Sequence, residues 1–335
     1  MAILGTQFSK ALEMIEPSKD DKTNAPMAHK QIRDILTAAD ELKRWTVDPV
    51  LIGSYKRDVS IRRVKDVDVF CRMTTPDTTT GQKVLDEFFK VLDTAFGTDD
   101  DGKKRVRRQN RSLQVAFGEY DDLYVDVVPA RERTDGFWEI PARDSDEWQT
   151  TNPEKLTSLK TAMNDSLGDL YVPGVKLLRQ TRRTILRSRP GGLFVELCFY
   201  DACNNGKVVK DNQTTVYVTG LEAIAEYLND KVNWGKSLPD PTMPGRTLTF
   251  RATDLQWETA RDKFATAATA ARAALKEDDL GKAAVAFRKL LDKNGDGDTV
   301  FPMPAGYNDD GTKRTSAGLI VAGESNVPAG NGRFG

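Results

Sequence analysis

Residues 49–54 run Pro49-Val50-Leu51-Ile52-Gly53-Ser54, and about a dozen residues on the chain reads Asp66-Val67-Asp68-Val69-Phe70-Cys71-Arg72. The first stretch is a short apolar strand ending at a Gly-Ser turn. The second alternates polar and apolar side chains, the period of a half-buried strand. Side chains two apart on a strand share a face, so Asp66 and Asp68 project together. A third strand, Leu123-Tyr124-Val125-Asp126-Val127-Val128, is expected to stop at Pro129. Asp126 stands there between valines, and burying a carboxylate among them is costly unless a cation or a donor meets it.

Outward from these strands, Ile32, Ile35, Leu36, Ala39 and Leu42 recur at helical spacing, and a helix over 82–96 is carried by Leu85, Phe88, Leu92 and Ala95. Leu113, Val115 and Phe117 alternate with polar residues and predict a further strand. From about 153 the pattern turns helical, with helices expected at 153–165, 173–188, 192–203, 220–230, 254–276 and 280–292. Loops are expected at 204–215 and 235–249. Beyond 292 the chain is rich in Gly, Asp, Asn and Pro and reads as a poorly ordered tail. The expectation is an α+β protein with a catalytic core over 1–150, a helical domain over 151–292 and a flexible tail over 293–335.

If the strands of Asp66, Asp68 and Asp126 are neighbours, three carboxylates converge, and their repulsion calls for a divalent cation. Hard oxygen ligands without His or Cys point to Mg²⁺ or Mn²⁺. Gly53 would let a phosphate approach the backbone, and Ser54 offers a hydroxyl and an N–H. Taken alone, a Gly-Ser pair is a turn and an Asp-x-Asp pair a solvated strand edge. It is their order along one chain that carries weight.

That order, with Val125-Asp126-Val127-Val128-Pro129 downstream, resembles the DNA-polymerase-β-like nucleotidyltransferase superfamily. The flanks Gly53-Ser54-Tyr55-Lys56-Arg57, Ile61-Arg62, Thr151-Asn152-Pro153, Val175-Lys176-Leu177-Leu178-Arg179 and Phe194-Val195-Glu196-Leu197 are similar to the bacterial cGAS/DncV-like cyclic-oligonucleotide synthases (CD-NTases). The resemblance spans roughly residues 25 to 300. It implies a mixed sheet with helices packed on a C-terminal helical domain, the active site lying in the cleft between. It also implies two Mg²⁺ or Mn²⁺ ions on Asp66, Asp68 and Asp126, with Asp126 supporting the ion at the nucleophile. Ser54 would hold NTP phosphates, with Lys176 or Arg179 adding positive charge. The product would be a cyclic di- or trinucleotide messenger of antiphage defence, made from NTPs including ATP with release of pyrophosphate. Two departures stand out: Gly192-Leu193 replaces the Ser-Tyr that relatives often carry, and Arg179 stands where a Lys is usual. The terminal Asn331-Gly332-Arg333-Phe334-Gly335 is similar to tails joined through Gly335 by a ubiquitin-transfer-like partner.

The remaining features bound the reading. Lys+Arg total 49 against Asp+Glu 50, a net charge of −1 that argues against coating by nucleic acid. The run Lys103, Lys104, Arg105, Arg107, Arg108 and Arg111 is a candidate contact for phosphate or an RNA activator, or else a solvated strand edge; Gln109 and Arg111 would point toward the nucleotide. Asp292 to Asp298 opens like a calcium loop, but its twelfth position is Met303, so a Gly/Asp-rich turn is the reading. The single His, His29, is expected to be exposed. Cys71, Cys198 and Cys203 lack metal or disulfide spacing and suggest a reducing compartment. With no apolar run of membrane-spanning length and no leader, a soluble cytoplasmic protein without a membrane is expected. Two competing readings are template-free transfer to RNA ends or to a protein, and a non-catalytic nucleotide-binding scaffold.

Overall fold

The computed structural model describes residues 3–142, 145–186 and 188–314. In chain order the elements are α1 (Gly5–Ile15), α2 (Lys19–Ala38), α3 (Asp40–Lys43), β1 (Asp48–Ile52), α4 (Gly53–Lys56), β2 (Asp66–Met73), α5 (Gly81–Phe96), β3 (Val106–Arg108), β4 (Leu113–Phe117) and β5 (Leu123–Glu132). They continue with β6 (Trp138–Pro141), β7 (Trp148–Thr151), α6 (Pro153–Ser166), α7 (Tyr171–Ile185), α8 (Gly192–Asn204), α9 (Gln213–Trp234), β8 (Leu238–Pro239), β9 (Thr247–Leu248), α10 (Asp254–Lys276) and α11 (Leu280–Leu291).

The mixed sheet has the order β1-β2-β5-β4-β3, with β6 and β7 extending from β5. Only β2 and β5 are parallel; β1, β4 and β3 add antiparallel. The alternation read from sequence decides what each face does. Val67, Val69 and Cys71 on β2, Leu113, Val115 and Phe117 on β4, and Leu123, Val125 and Val127 on β5 turn toward one face. There they pack in one core with Ala28, Ile32 and Leu36 of α2 and Val84, Leu85, Phe88 and Leu92 of α5. The intervening residues, Asp66, Asp68, Gln114 and Asp126 among them, are left for the opposite face. Pro129 does not end its strand. The β4 ladder has already stopped at Leu113, opposite Val127, so β5 has a free edge where a residue without an N–H is tolerated, and it runs on to Glu132.

A second core joins α7 to α11. Its boundaries differ from the expected 1–150 and 151–292 division. Helix α1 packs in this helical lobe: Phe8, fully buried, meets Phe287 and Phe301 in T-shaped contacts with ring centroids 5.0 Å apart. Val59 and Ile61, between α4 and β2, belong to it as well.

The expected tail is also corrected, since residues 293–314 are folded against the lobe. Val300 and Phe301 are fully buried, and Asn294 donates to the Met14 carbonyl and accepts from the N–H groups of Asp296 and Asp298. Asp296 pairs with Arg62 and Arg63. The terminal residues 315–335, Gly335 included, lie outside the described residues. Helix α9 starts at Gln213, capped by Asn212, and the 235–249 loop contains the β8–β9 hairpin. His29 is half-buried; burial, and to a smaller extent Arg33, pushes its pKa down to about 4. Among the described residues no helix is long and apolar enough to cross a membrane.

Candidate active site

A cleft of about 580 Å³ opens between the sheet and the helical lobe. From the sheet side come the end of β1, Gly53 and Ser54, and the two carboxylates of β2. Gly53 is there for two physical reasons. Its φ of +76° lies in the left-handed region, and a Cβ at this position would overlap the Asp68 carboxylate. The chain can therefore turn into α4 directly against Asp68 only through glycine. Ser54 follows, with its Oγ 3.1 Å from the Ser60 hydroxyl, and lines the cleft together with Asp66 and Asp68.

Register brings the acids together. Asp68 lies opposite Asp126 across the parallel β2–β5 ladder, and Asp66 sits one pleat earlier on the same face. Burial, and then the facing Asp66 and Asp126, push the Asp68 pKa up to about 7, although Arg57 and Arg179 oppose the shift. Asp126 is pushed up to about 6, mainly by burial, while Gln114 holds it down by donating to its Oδ1 at 3.3 Å. Gln109 donates to the same oxygen at 3.4 Å, which turns it toward the acidic face. Gln114 carries the polar half of the β4 alternation, a signal the sequence reading left unused.

Across the cleft, the helical lobe presents Arg179 of α7. Burial lowers its pKa against the opposing pull of Glu196, Asp66 and Asp68, and its Nη1 lies 3.9 Å from Glu196 Oε2. Gly192 makes room for it: a Cβ there would sit 3.0 Å from Nε, Cζ and Nη2 of Arg179. The two departures noted in the sequence thus form one structural unit, a bulkier cation over a residue without a side chain.

Beside them Arg57, 4% exposed, donates from Nε and Nη2 to the two oxygens of Glu196, 1% exposed, at 2.6 and 2.9 Å. This fork joins the turn after α4 to α8 and so clasps the two lobes. The two residues stand 139 positions apart, so no local sequence pattern pairs them.

Lys176 does not join the phosphate side. It is 3% exposed, is not among the residues lining the cleft, and donates to Glu16 at 2.6 Å and Asp58 at 3.2 Å. Its buried position on α7 requires such partners. In the basic run, Lys104, Arg105 and Arg108 pair with Asp93, Glu119 and Asp86, while Lys103 and Arg107 are exposed.

Like-charged carboxylates raised toward neutrality, with amide donors on only one of them, fit a divalent cation, whose charge would reverse that repulsion. Among the described residues, no group of three His, Cys, Asp or Glu side chains is arranged to hold a metal ion by itself. The acids line an open face, which leaves coordination positions for substrate oxygens.

Residues 1–164 match the Second Messenger Oligonucleotide or Dinucleotide Synthetase domain. Residues 1–164 of the chain belong to this synthetase family. A cyclic AMP-AMP-AMP synthase of Acinetobacter sp. is 28% identical over 326 residues, covering 94% of this chain and 90% of that protein. Among solved structures, Escherichia coli MS115-1 CdnC with ATP matches with a TM-score of 0.67 at 18% identity, over 90% of this chain and 100% of that one. Bradyrhizobium diazoefficiens CdnG in complex with GTP matches at 0.65 and 16%, over 85% and 96%. At these identities the structural matches establish the family's fold, a polymerase-β-like core joined to a helical lobe. The enzyme class of the family is nucleotidyltransferase.

Proposed function

We propose that the protein joins NTPs, ATP among them, into a cyclic di- or trinucleotide second messenger with release of pyrophosphate, as part of antiphage defence. The observation that carries this is the pairing of Asp68 with Asp126 across the parallel strands, beside a glycine turn and beneath Arg179. The activity of the Acinetobacter sp. relative supports it.

In this mechanism the N–H and hydroxyl of Ser54 bind phosphate oxygens, which reach the backbone because Gly53 carries no side chain. Arg179 neutralises phosphate charge from the opposite wall. Asp66, Asp68 and Asp126 would hold Mg²⁺ or Mn²⁺. Such ions supply Lewis-acid activation of the attacking 2′- or 3′-hydroxyl and stabilise the departing pyrophosphate. Gln109 and Gln114 hold the Asp126 carboxylate in place on the strand face it shares with Asp68. Holding both reactants in one closed space accounts for most of the acceleration, because little covalent chemistry falls to the protein. Two partner expectations belong to this reading as well: conjugation at Gly335, and an activator bound through Lys103 and Arg107.

Labelled ATP, GTP, CTP and UTP with Mg²⁺ or Mn²⁺, followed by phosphatase and chromatography, test the proposal. The expected result is a phosphatase-resistant product that the Asp66→Asn/Asp68→Asn protein does not make. A product that forms only when an RNA or protein acceptor is added would replace this reading with template-free transfer.

A further inference from the structure

The walls of the cleft are chemically unlike. The sheet side is polar and charged, whereas the helical lobe and the β8–β9 hairpin, besides Arg179 and Glu196, contribute an apolar stretch of Leu156, Leu193, Leu197, Pro241 and Leu248. Into this apolar part the hairpin sets one charged residue, Asp240.

The hairpin is a rigid mount. Leu238, 1% exposed, anchors it in the helical core, and Leu238 and Pro239 pair with Leu248 and Thr247. The Asp240 N–H donates to the Arg246 carbonyl at 2.9 Å. One carboxylate oxygen, Oδ1, accepts from both the N–H and the hydroxyl of Thr242, at 2.8 and 2.6 Å. Those two bonds use both in-plane lone pairs of Oδ1. Oδ2 has no hydrogen bond within the chain among the described residues, and its orientation is fixed by the occupied oxygen.

We propose that Asp240 is a base-specificity residue that accepts a hydrogen bond from the exocyclic amine of adenine on a nucleotide held in this cleft. This rests on the nucleotidyltransferase reading above. An apolar wall suits the faces of a base, and the polar wall suits its triphosphate. A single free carboxylate oxygen matches a single amine. Guanine presents two adjacent donors, N1–H and N2–H, which a carboxylate reads best with two free oxygens, and here one is spent on Thr242. Hypoxanthine, with an oxygen at position 6, would set acceptor against acceptor.

The test is binding of non-hydrolysable ATP and ITP analogues with Mg²⁺ to the full chain and to Asp240→Asn, by calorimetry. In Asp240→Asn the Thr242 N–H keeps the amide oxygen at the Oδ1 position, so an NH₂ donor faces the base and the hairpin retains its bonds. The unmodified protein should prefer the ATP analogue by at least about tenfold, the scale set by leaving a polar group unpaired in a site. Asp240→Asn should bring that ratio below about threefold or invert it. An unchanged ratio in a normally melting variant, or no preference in the unmodified protein, overturns the inference. If Asp240→Asn melts early, Asp240→Ala serves with the amine-free purine riboside triphosphate, which it should bind as well as ATP; a retained preference for ATP overturns the inference. Failure of the unmodified protein to bind either analogue would instead overturn the nucleotide reading itself.

Discussion

Two charge clusters face each other in one cleft, and the fold treats them in opposite ways. Arg57 and Glu196 are both almost fully buried and closed by two hydrogen bonds, with Arg179 a further 3.9 Å contact on Glu196. Asp66, Asp68 and Asp126 are three charges of one sign with no cation bonded to any of them among the described residues, and two of them are pushed toward neutrality. The first cluster is complete within the chain and holds the lobes together. The second is complete only when something positive enters. An ion pair that satisfies itself is architecture, while a like-charge set kept half-exposed at a glycine turn is a site.

The sharpest way to break this comparison is to exchange one carboxylate. Asp68→Asn should lower product formation by about 10³-fold, the scale of losing several kcal/mol of charge stabilisation, while leaving the far-UV circular dichroism unchanged. Next in size, Glu196→Ala should cost about 3–5 kcal/mol of unfolding free energy in a urea titration, because it strands the Arg57 guanidinium in a dry site. If Glu196→Ala kept its stability and lost only activity, the pair would belong to the substrate site and the contrast would collapse.

His29 sharpens the comparison as a third kind of group, neither paired nor placed to meet a ligand. Its Nε2 is buried without a hydrogen bond among the described residues, and its pKa is about 4 against 6.5 for the free side chain. The unfolded chain therefore binds the proton first, so its contribution to stability is complete above pH 6.5 and is lost as the pH falls toward 4. Relative to His29→Gln, the unmodified protein should lose about 1–2 kcal/mol across that window, less than the full shift implies because the ring is only partly buried. Raised carboxylates titrate oppositely in the same range, so the difference between the two proteins is the quantity to follow.

The smallest effect expected is at Gly192. Gly192→Ala should displace Arg179 and lower activity about fivefold with less than about 1 kcal/mol of stability lost. Adding Arg179→Lys, a slimmer cation, should recover part of that activity.

Much of this contrast could be read from sequence, and the unread part has a common cause. The acidic site was legible because period-2 alternation puts Asp66 and Asp68 on one face, and because Asp126 is anomalous among valines. The clasp was not, since no local pattern links Arg57 to Glu196. Lys176 was misplaced for the same reason: a helical Lys near a basic neighbour reads as a phosphate contact until Glu16 and Asp58 are brought to it by the fold. Helix α1 did carry a signal, Leu4, Phe8, Ala11 and Ile15 at helical spacing, all buried. The segment 293–314 hid its anchors, Val300 and Phe301, inside a Gly- and Asp-rich composition that by itself predicts disorder.

The central claim is that the acidic face is a charge set left open for a cation, and thermal melting at pH 8 tests it most directly. A carboxyl whose folded pKa lies above its unfolded value destabilises the fold at any pH above both, so Asp68 is a burden at pH 8 until a cation arrives. Without metal, Asp68→Asn should melt above the unmodified protein, by about 2–4 °C for each kcal/mol relieved. Millimolar Mn²⁺ should then raise the unmodified protein and leave Asp68→Asn nearly where it was. A metal-free Asp68→Asn that melts lower than the unmodified protein, or an equal rise in both with Mn²⁺, would contradict the account.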